Sequence, residues 1–94
     1  MILWGASINV FCSTSPVDMR KSFDSLAGLT RDFMGHNPLS GNLFVFFNKK
    51  RDKAKVLYWS KTGYCLFYKR LERGRFHIPV PEQDDKTTVE LDQV

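Results

Sequence analysis

Ser40 to Phe76, SGNLFVFFNKKRDKAKVLYWSKTGYCLFYKRLERGRF, holds most of the aromatic and most of the basic residues of the chain. Within it, Leu43-Phe44-Val45-Phe46-Phe47 and Val56-Leu57-Tyr58-Trp59 flank the polar segment Asn48-Lys49-Lys50-Arg51-Asp52-Lys53. Aromatic and β-branched runs around a polar break predict a two-stranded hairpin over residues 43–59. No Asn-Gly pair marks the turn, so the loop is longer than two residues. The first run is apolar at odd and even positions alike, so neither face of that strand expects water. It predicts a central strand covered on both sides, or with one face covered by a partner chain.

Downstream of the hairpin, Ser60-Lys61-Thr62-Gly63 breaks the pattern. Tyr64, Phe67, Tyr68 and Leu71 then fall at i, i+3, i+4 and i+7, which predicts a second, shorter amphipathic helix with Thr62 as its cap and Gly74 at its end. A strand over Cys65–Lys69 is the competing reading, because the same residues are β-formers. Arg75 to Pro79 predicts a final short strand. Glu82 to Val94 reads as an acidic, flexible tail in which residues 87–91 have the composition of an edge strand.

Upstream, Ile8 to Cys12 predicts a first strand that Pro16 terminates. A long helix follows from about Val17 to Met34. Met19, Phe23, Leu26, Ala27, Thr30, Phe33 and Met34 recur at three- and four-residue steps, Ser15 is its cap and Gly35 its stop. Gly28, inside it, marks either close packing of helix on sheet or a tolerated defect. The expected order is β-α-β-β-α-β: an α+β fold, a small mainly antiparallel sheet with one long and one shorter helix. Residues 1–81 form the single domain and 82–94 the tail.

Ninety-four residues suffice for one modest core without metals or disulfides. Cys12 and Cys65 sit inside apolar runs and not at C-x-x-C or zinc spacing, which favours buried, reduced thiols. The first residues lack the basic start and continuous apolar run of a signal peptide, and no segment approaches the roughly 20 apolar residues that cross a bilayer. The expectation is a soluble cytoplasmic protein without membrane contact. Residues 1–81 carry 13 Lys/Arg against 5 Asp/Glu, a net +8, and residues 82–94 carry 1 against 5, a net −4. A basic body suits a polyanion such as nucleic acid, and the acidic tail is an internal competitor for the same surface.

Catalytic constellations are missing from the sequence. Asp18, Asp24 and Asp32 do not share a tight helical face, and His36 and His77 have no partner at ligand spacing. No G-x-S-x-G and no phosphate-binding glycine loop occurs. The reading is a protein that is not an enzyme, with no catalytic residues, metal or cofactor. What remains are cations. Lys49, Lys50, Arg51, Lys53 and Lys55 mark the hairpin tip and return strand, and Lys69, Arg70, Arg73 and Arg75 the second helix and its exit. In a helix, Lys69 and Arg73 share a face with Arg70 beside them. These nine are candidate DNA contacts through phosphate. Arg20 and Lys21, near the start of the first helix, are a secondary anion contact. The nearby aromatics Tyr58, Trp59, Tyr64, Phe67 and Tyr68 are read chiefly as core, with base stacking as the other role.

Several of these stretches are also words. Asp18-Met19-Arg20-Lys21, Phe23-Asp24 and Leu26 resemble DMRKGFDGL; Ser40-Gly41, Leu43-Phe44-Val45-Phe46 and Asn48 resemble SGxLFVFxN. Lys55, Leu57, Trp59, Gly63, Tyr68-Lys69-Arg70-Leu71-Glu72 and Gly74-Arg75-Phe76 resemble KxLxW…G…YKRLExGRF. Over residues 8–79 the chain is similar to the TnpB accessory proteins of the IS-66 family of bacterial insertion sequences. The resemblance implies a non-catalytic protein of a mobile genetic element that assists transposition, the strand-transfer chemistry of DNA recombination belonging to a separate DDE-type transposase. The implied partners are DNA, that transposase, or both. The alternative is a protein–protein adaptor that forms a homodimer or docks to the transposase through the aromatic hairpin without touching DNA. The chain departs from the pattern at Ser60, where the family has Asp, and at Ser22 and Ser25, where it has Gly.

Overall fold

The computed structural model describes residues 8–78 and 87–91. Its elements are β1 (Val10–Ser13), α1 (Phe23–Asp32), β2 (Leu43–Phe47), β3 (Lys53–Ser60), β4 (Gly63–Arg70) and β5 (Thr88–Leu91). They form one five-stranded sheet in the order β4-β3-β2-β1-β5. β1 and β2 are parallel, joined across α1, and the other neighbouring pairs are antiparallel.

The doubly apolar run becomes the middle strand, with both faces covered. Phe44 and Phe46 point to the face that carries α1, where they pack with Leu26, Ala27, Met34, Val17 and Leu57. Val45 and Phe47 point to the opposite face with Cys12 and Ala54, against which Phe76 and Ile78 are laid. Burial pushes the Cys12 thiol up to about 12, so it stays protonated. Cys65 is also free. Cys12 and Cys65 share this second face on strands three positions apart, about 14 Å at ordinary strand spacing, twice what a disulfide spans.

The expected second helix is a strand, which corrects the fold: one helix and five strands in a mixed sheet, not β-α-β-β-α-β with two helices. The spacing of Tyr64, Phe67, Tyr68 and Leu71 fits a helix only because β4 carries large apolar groups on both faces. Leu66 and Tyr68 pair with Leu57 and Lys55 on the helix side, and Cys65 and Phe67 with Tyr58 and Val56 on the other. Lys61 and Thr62 make a two-residue turn, with Lys61 in the left-handed region at φ 52°. Neither residue is a customary hairpin signal. The final strand expected at residues 75–79 is irregular backbone over its described part, 75–78. Thr88–Leu91, within the stretch expected to be a tail, pairs with β1 as the other edge strand.

The helix starts later than its periodicity predicts. One tertiary and two local hydrogen bonds hold residues 17–21 in another conformation: Val17 N–H donates to the Phe47 carbonyl (2.8 Å), Arg20 N–H to the Asp18 carboxylate (2.9 Å) and Lys21 N–H to the Asp18 carbonyl (3.1 Å). Ser22 is the N-cap in place of Ser15, and its N–H donates to Ser25 Oγ at 3.0 Å. The two serines that stand where the resembled pattern has glycines thus set the helix start. At the far end Gly35, at φ 74°, turns the chain out of the helix.

Gly28 has no packing reason to be glycine. A Cβ there meets only the Arg31 guanidinium, at 3.8 Å. Gly28→Ala is therefore expected to stabilise the domain by about 0.5–1 kcal/mol. A thermal melt would show a rise of about 5 °C, and a fall in Tm would disprove the absence of close packing.

Candidate nucleic-acid interface

The sheet topology gathers the cations. β1, β2 and β4 run in one direction, so the segments leaving them emerge at the same end of the sheet. Each of those exits is basic: Arg20 and Lys21 after β1, Lys49 to Lys53 after β2, and Lys69 to Arg75 at the end of β4 and beyond it. The N-terminus of α1 lies at this end too and adds the positive end of its dipole. Of the eleven candidate side chains, nine are exposed, Lys53 is half-buried and Lys55 is buried. Among the described acids at this end are Asp18, Asp52 and Glu72, each held by a local partner.

Three arrangements make this end a shaped surface. The first is the hairpin tip, stapled by one side chain. Asn48 Oδ1 accepts from the N–H groups of Asp52 (3.1 Å) and Lys53 (3.0 Å), while its Nδ2 donates to the Asp52 carboxylate at 2.6 Å. That last bond holds the Asp52 carboxyl below its ordinary range. Arg51 sits in the left-handed region at φ 62°. The tip is also braced from behind, where Leu71 and Phe76 N–H groups donate to the Asp52 and Arg51 carbonyls, both at 2.7 Å. The Phe76 ring packs on Phe47 with centroids 5.2 Å apart.

The second is the Asp18–Arg20 pair. The guanidinium binds both carboxylate oxygens (2.7–3.1 Å), and that contact, with the Arg20 N–H, holds the Asp18 carboxyl down to about 2. The exposed pair persists at neutral pH and is lost as pH falls through about 2, where Asp18 is protonated and Arg20 keeps its charge.

The third is Lys55. It is 7% exposed; its Nζ donates to the Lys21 carbonyl at 2.6 Å and sits 4.8 Å from the centre of the Tyr68 ring. It fastens the segment before α1 to β3 and β4 and is turned away from any surface partner.

Between the 16–20 segment and the hairpin tip these elements enclose a groove of about 730 Å³, lined by Met19, Arg20, Lys49, Lys50, Lys53 and Tyr68 among others. It joins Arg20, one of the two residues expected as a secondary anion contact, to the lysines of the hairpin tip; Lys21 does not line it. The shared helix face of Lys69, Arg70 and Arg73 does not form. In β4, Lys69 pairs with Ala54 on the face away from α1, and Arg70 pairs with Lys53 on the groove side, where Glu72 holds it at 2.9 Å. Tyr68, read chiefly as core, is 51% exposed in the groove, and Phe67 is 57% exposed on the other face. Residues 64–68 are apolar at odd and even positions alike, so no spacing signal in the sequence placed them. Trp59 and Tyr64 do pack together, edge to face at 5.1 Å. His36 is spent on stacking with Phe11, 4.1 Å between centroids. Among the described residues no group of three His, Cys, Asp or Glu side chains is placed to hold a metal, and no helix is long and apolar enough to cross a membrane. Glu82, Asp84, Asp85 and Asp92, expected to compete for the basic surface, lie outside the described residues.

Residues 8–94 match the profile of a family described as IS66 Orf2 like protein. Two relatives come from Sinorhizobium fredii (strain NBRC 101917 / NGR234). The uncharacterized protein y4hO is 43% identical over 82 residues, 87% of this chain and 71% of that protein. The uncharacterized protein y4jC is 33% identical over 72 residues, 77% of this chain and 62% of that protein. No solved structure matches the chain.

Proposed function

The chain belongs to the IS66 Orf2-like family of insertion-sequence proteins, and from that premise we propose that it assists transposition as a non-catalytic protein that grips DNA at the basic end of its sheet. The observation that carries this reading is the meeting of three basic exits at one end of the sheet, two of which line one braced groove. Phosphate contacts need cations held at fixed spacing, and the Asn48 staple and the Leu71 and Phe76 bonds provide that fixity at the hairpin tip. Arg20, Lys49, Lys50, Lys53 and Arg70 are the contacts on the groove side, with Arg51, Lys69, Arg73 and Arg75 extending the field behind it. The DDE-type transposase of the same element supplies the strand-transfer chemistry.

A second reading is favoured by β4 itself. It is the sheet edge, eight residues long, and carries the exposed Phe67. An edge of that kind is suited to pairing with a strand of the transposase or of a second copy.

Fluorescence anisotropy with duplex and single-stranded DNA across a salt series separates the two. DNA gripping predicts a log–log decrease of affinity with salt whose slope is about −0.7 to −0.9 per phosphate contacted. No binding at the lowest salt would remove the DNA reading and leave the β4 edge.

A further inference from the structure

We propose that Tyr68 is a stacking platform for an unpaired base, so that the groove takes single-stranded or distorted DNA in preference to intact duplex; this rests on the DNA reading above. Four observations converge. Tyr68 lies half-open in the groove although it belongs to a strand whose groove-side neighbour Leu66 packs toward the core. The Lys55 ammonium lies 4.8 Å from its ring centre and is anchored on the Lys21 carbonyl. The ring is therefore fixed from one side by a cation that is not available to phosphate. Around it the cations are distributed for a backbone: Lys53 is its diagonal neighbour on β3, Arg70 stands two residues along β4, and Arg20, Lys49 and Lys50 also line the groove. Finally, the groove is open to solvent and about 730 Å³ in volume, room for a nucleotide unit to enter from outside. A duplex of stacked pairs offers only its phosphates to such a groove. A base out of the stack offers a π-face to the ring as well, and stacking of this kind tolerates any sequence.

The test uses the full chain and three probes of equal length: a labelled oligothymidine, an intact duplex, and the same duplex with a short mismatched bubble. The wild-type protein is expected to prefer the oligothymidine and the bubble over the intact duplex by about tenfold. Tyr68→Leu, which keeps an apolar group against Lys55, is expected to lose that preference while duplex affinity changes less than twofold; Tyr68→Phe is expected to keep it. Circular dichroism melts show that each variant is folded before it is scored. Equal affinity of the wild type for all three probes, or a preference that survives in Tyr68→Leu, overturns the stacking platform and leaves the DNA reading standing. Failure of the wild type to bind any probe at low salt removes both.

Discussion

Phe46→Ala is expected to destabilise the domain by about 3–5 kcal/mol, lowering Tm by roughly 15–30 °C for a chain of this size. Phe46 is 0% exposed on the middle strand and belongs to the cluster formed with Leu26, Ala27, Phe44 and Leu57. Its removal costs the transfer energy of the ring and leaves a void that strands hydrogen-bonded on both sides cannot close. Small domains hold only about 5–15 kcal/mol in total, so the variant would sit near the edge of folding. The matched control is Phe67→Ala. The residue type is the same and the strand is β4, but the ring is 57% exposed, and the expected loss is about 1 kcal/mol or less. Comparable losses for the two variants in chemical denaturation would contradict the assignment of β2 as the centre of the sheet.

The second large effect concerns binding. Lys49→Glu with Lys50→Glu is expected to weaken DNA binding on the order of 100-fold at low salt and to make the salt slope shallower by about two contacts. Both lysines are exposed at the stapled tip, so reversal changes the field without touching the core. Lys61→Glu is the control. Lys61 lies in the β3–β4 turn, at the opposite end of the sheet, and its reversal is expected to alter affinity only a few-fold. If Lys61→Glu costs as much as the double reversal at the tip, net charge and not the basic end governs binding.

Much of this architecture is legible in residues 43–59. The run Leu43–Phe47 has no polar position, and only a strand covered on both faces satisfies it. The second helix was misread for a physical reason. Two faces of alternating aromatics produce i, i+3 and i+4 coincidences, and the competition is settled by β3, whose outer edge needs a partner that β4 supplies. Lys55 could be placed by its alternation with Leu57 and Trp59. Its neighbours in the basic cluster mask that signal, because charge clusters are habitually assigned to solvent. The meeting of Arg20 with Lys49 and Lys50 was out of reach of spacing altogether. It depends on β1 and β2 being parallel, and a helix of ten residues between them fixes that direction only once the sheet has formed.

The pairing of β1 with β5 also bears on how the protein is made. Val10 faces Leu91 and Ser13 faces Thr88, so the first described strand to leave the ribosome waits for the last described one to arrive before its outer edge is closed. Contacts of such long sequence separation form late. Until then a nascent chain carries an unpaired edge at Val10–Ser13 beside its apolar middle strand, the kind of surface that associates with other unfinished chains. Translation interrupted before Thr88 would leave a product in which the basic end can assemble but the sheet stays open beside it.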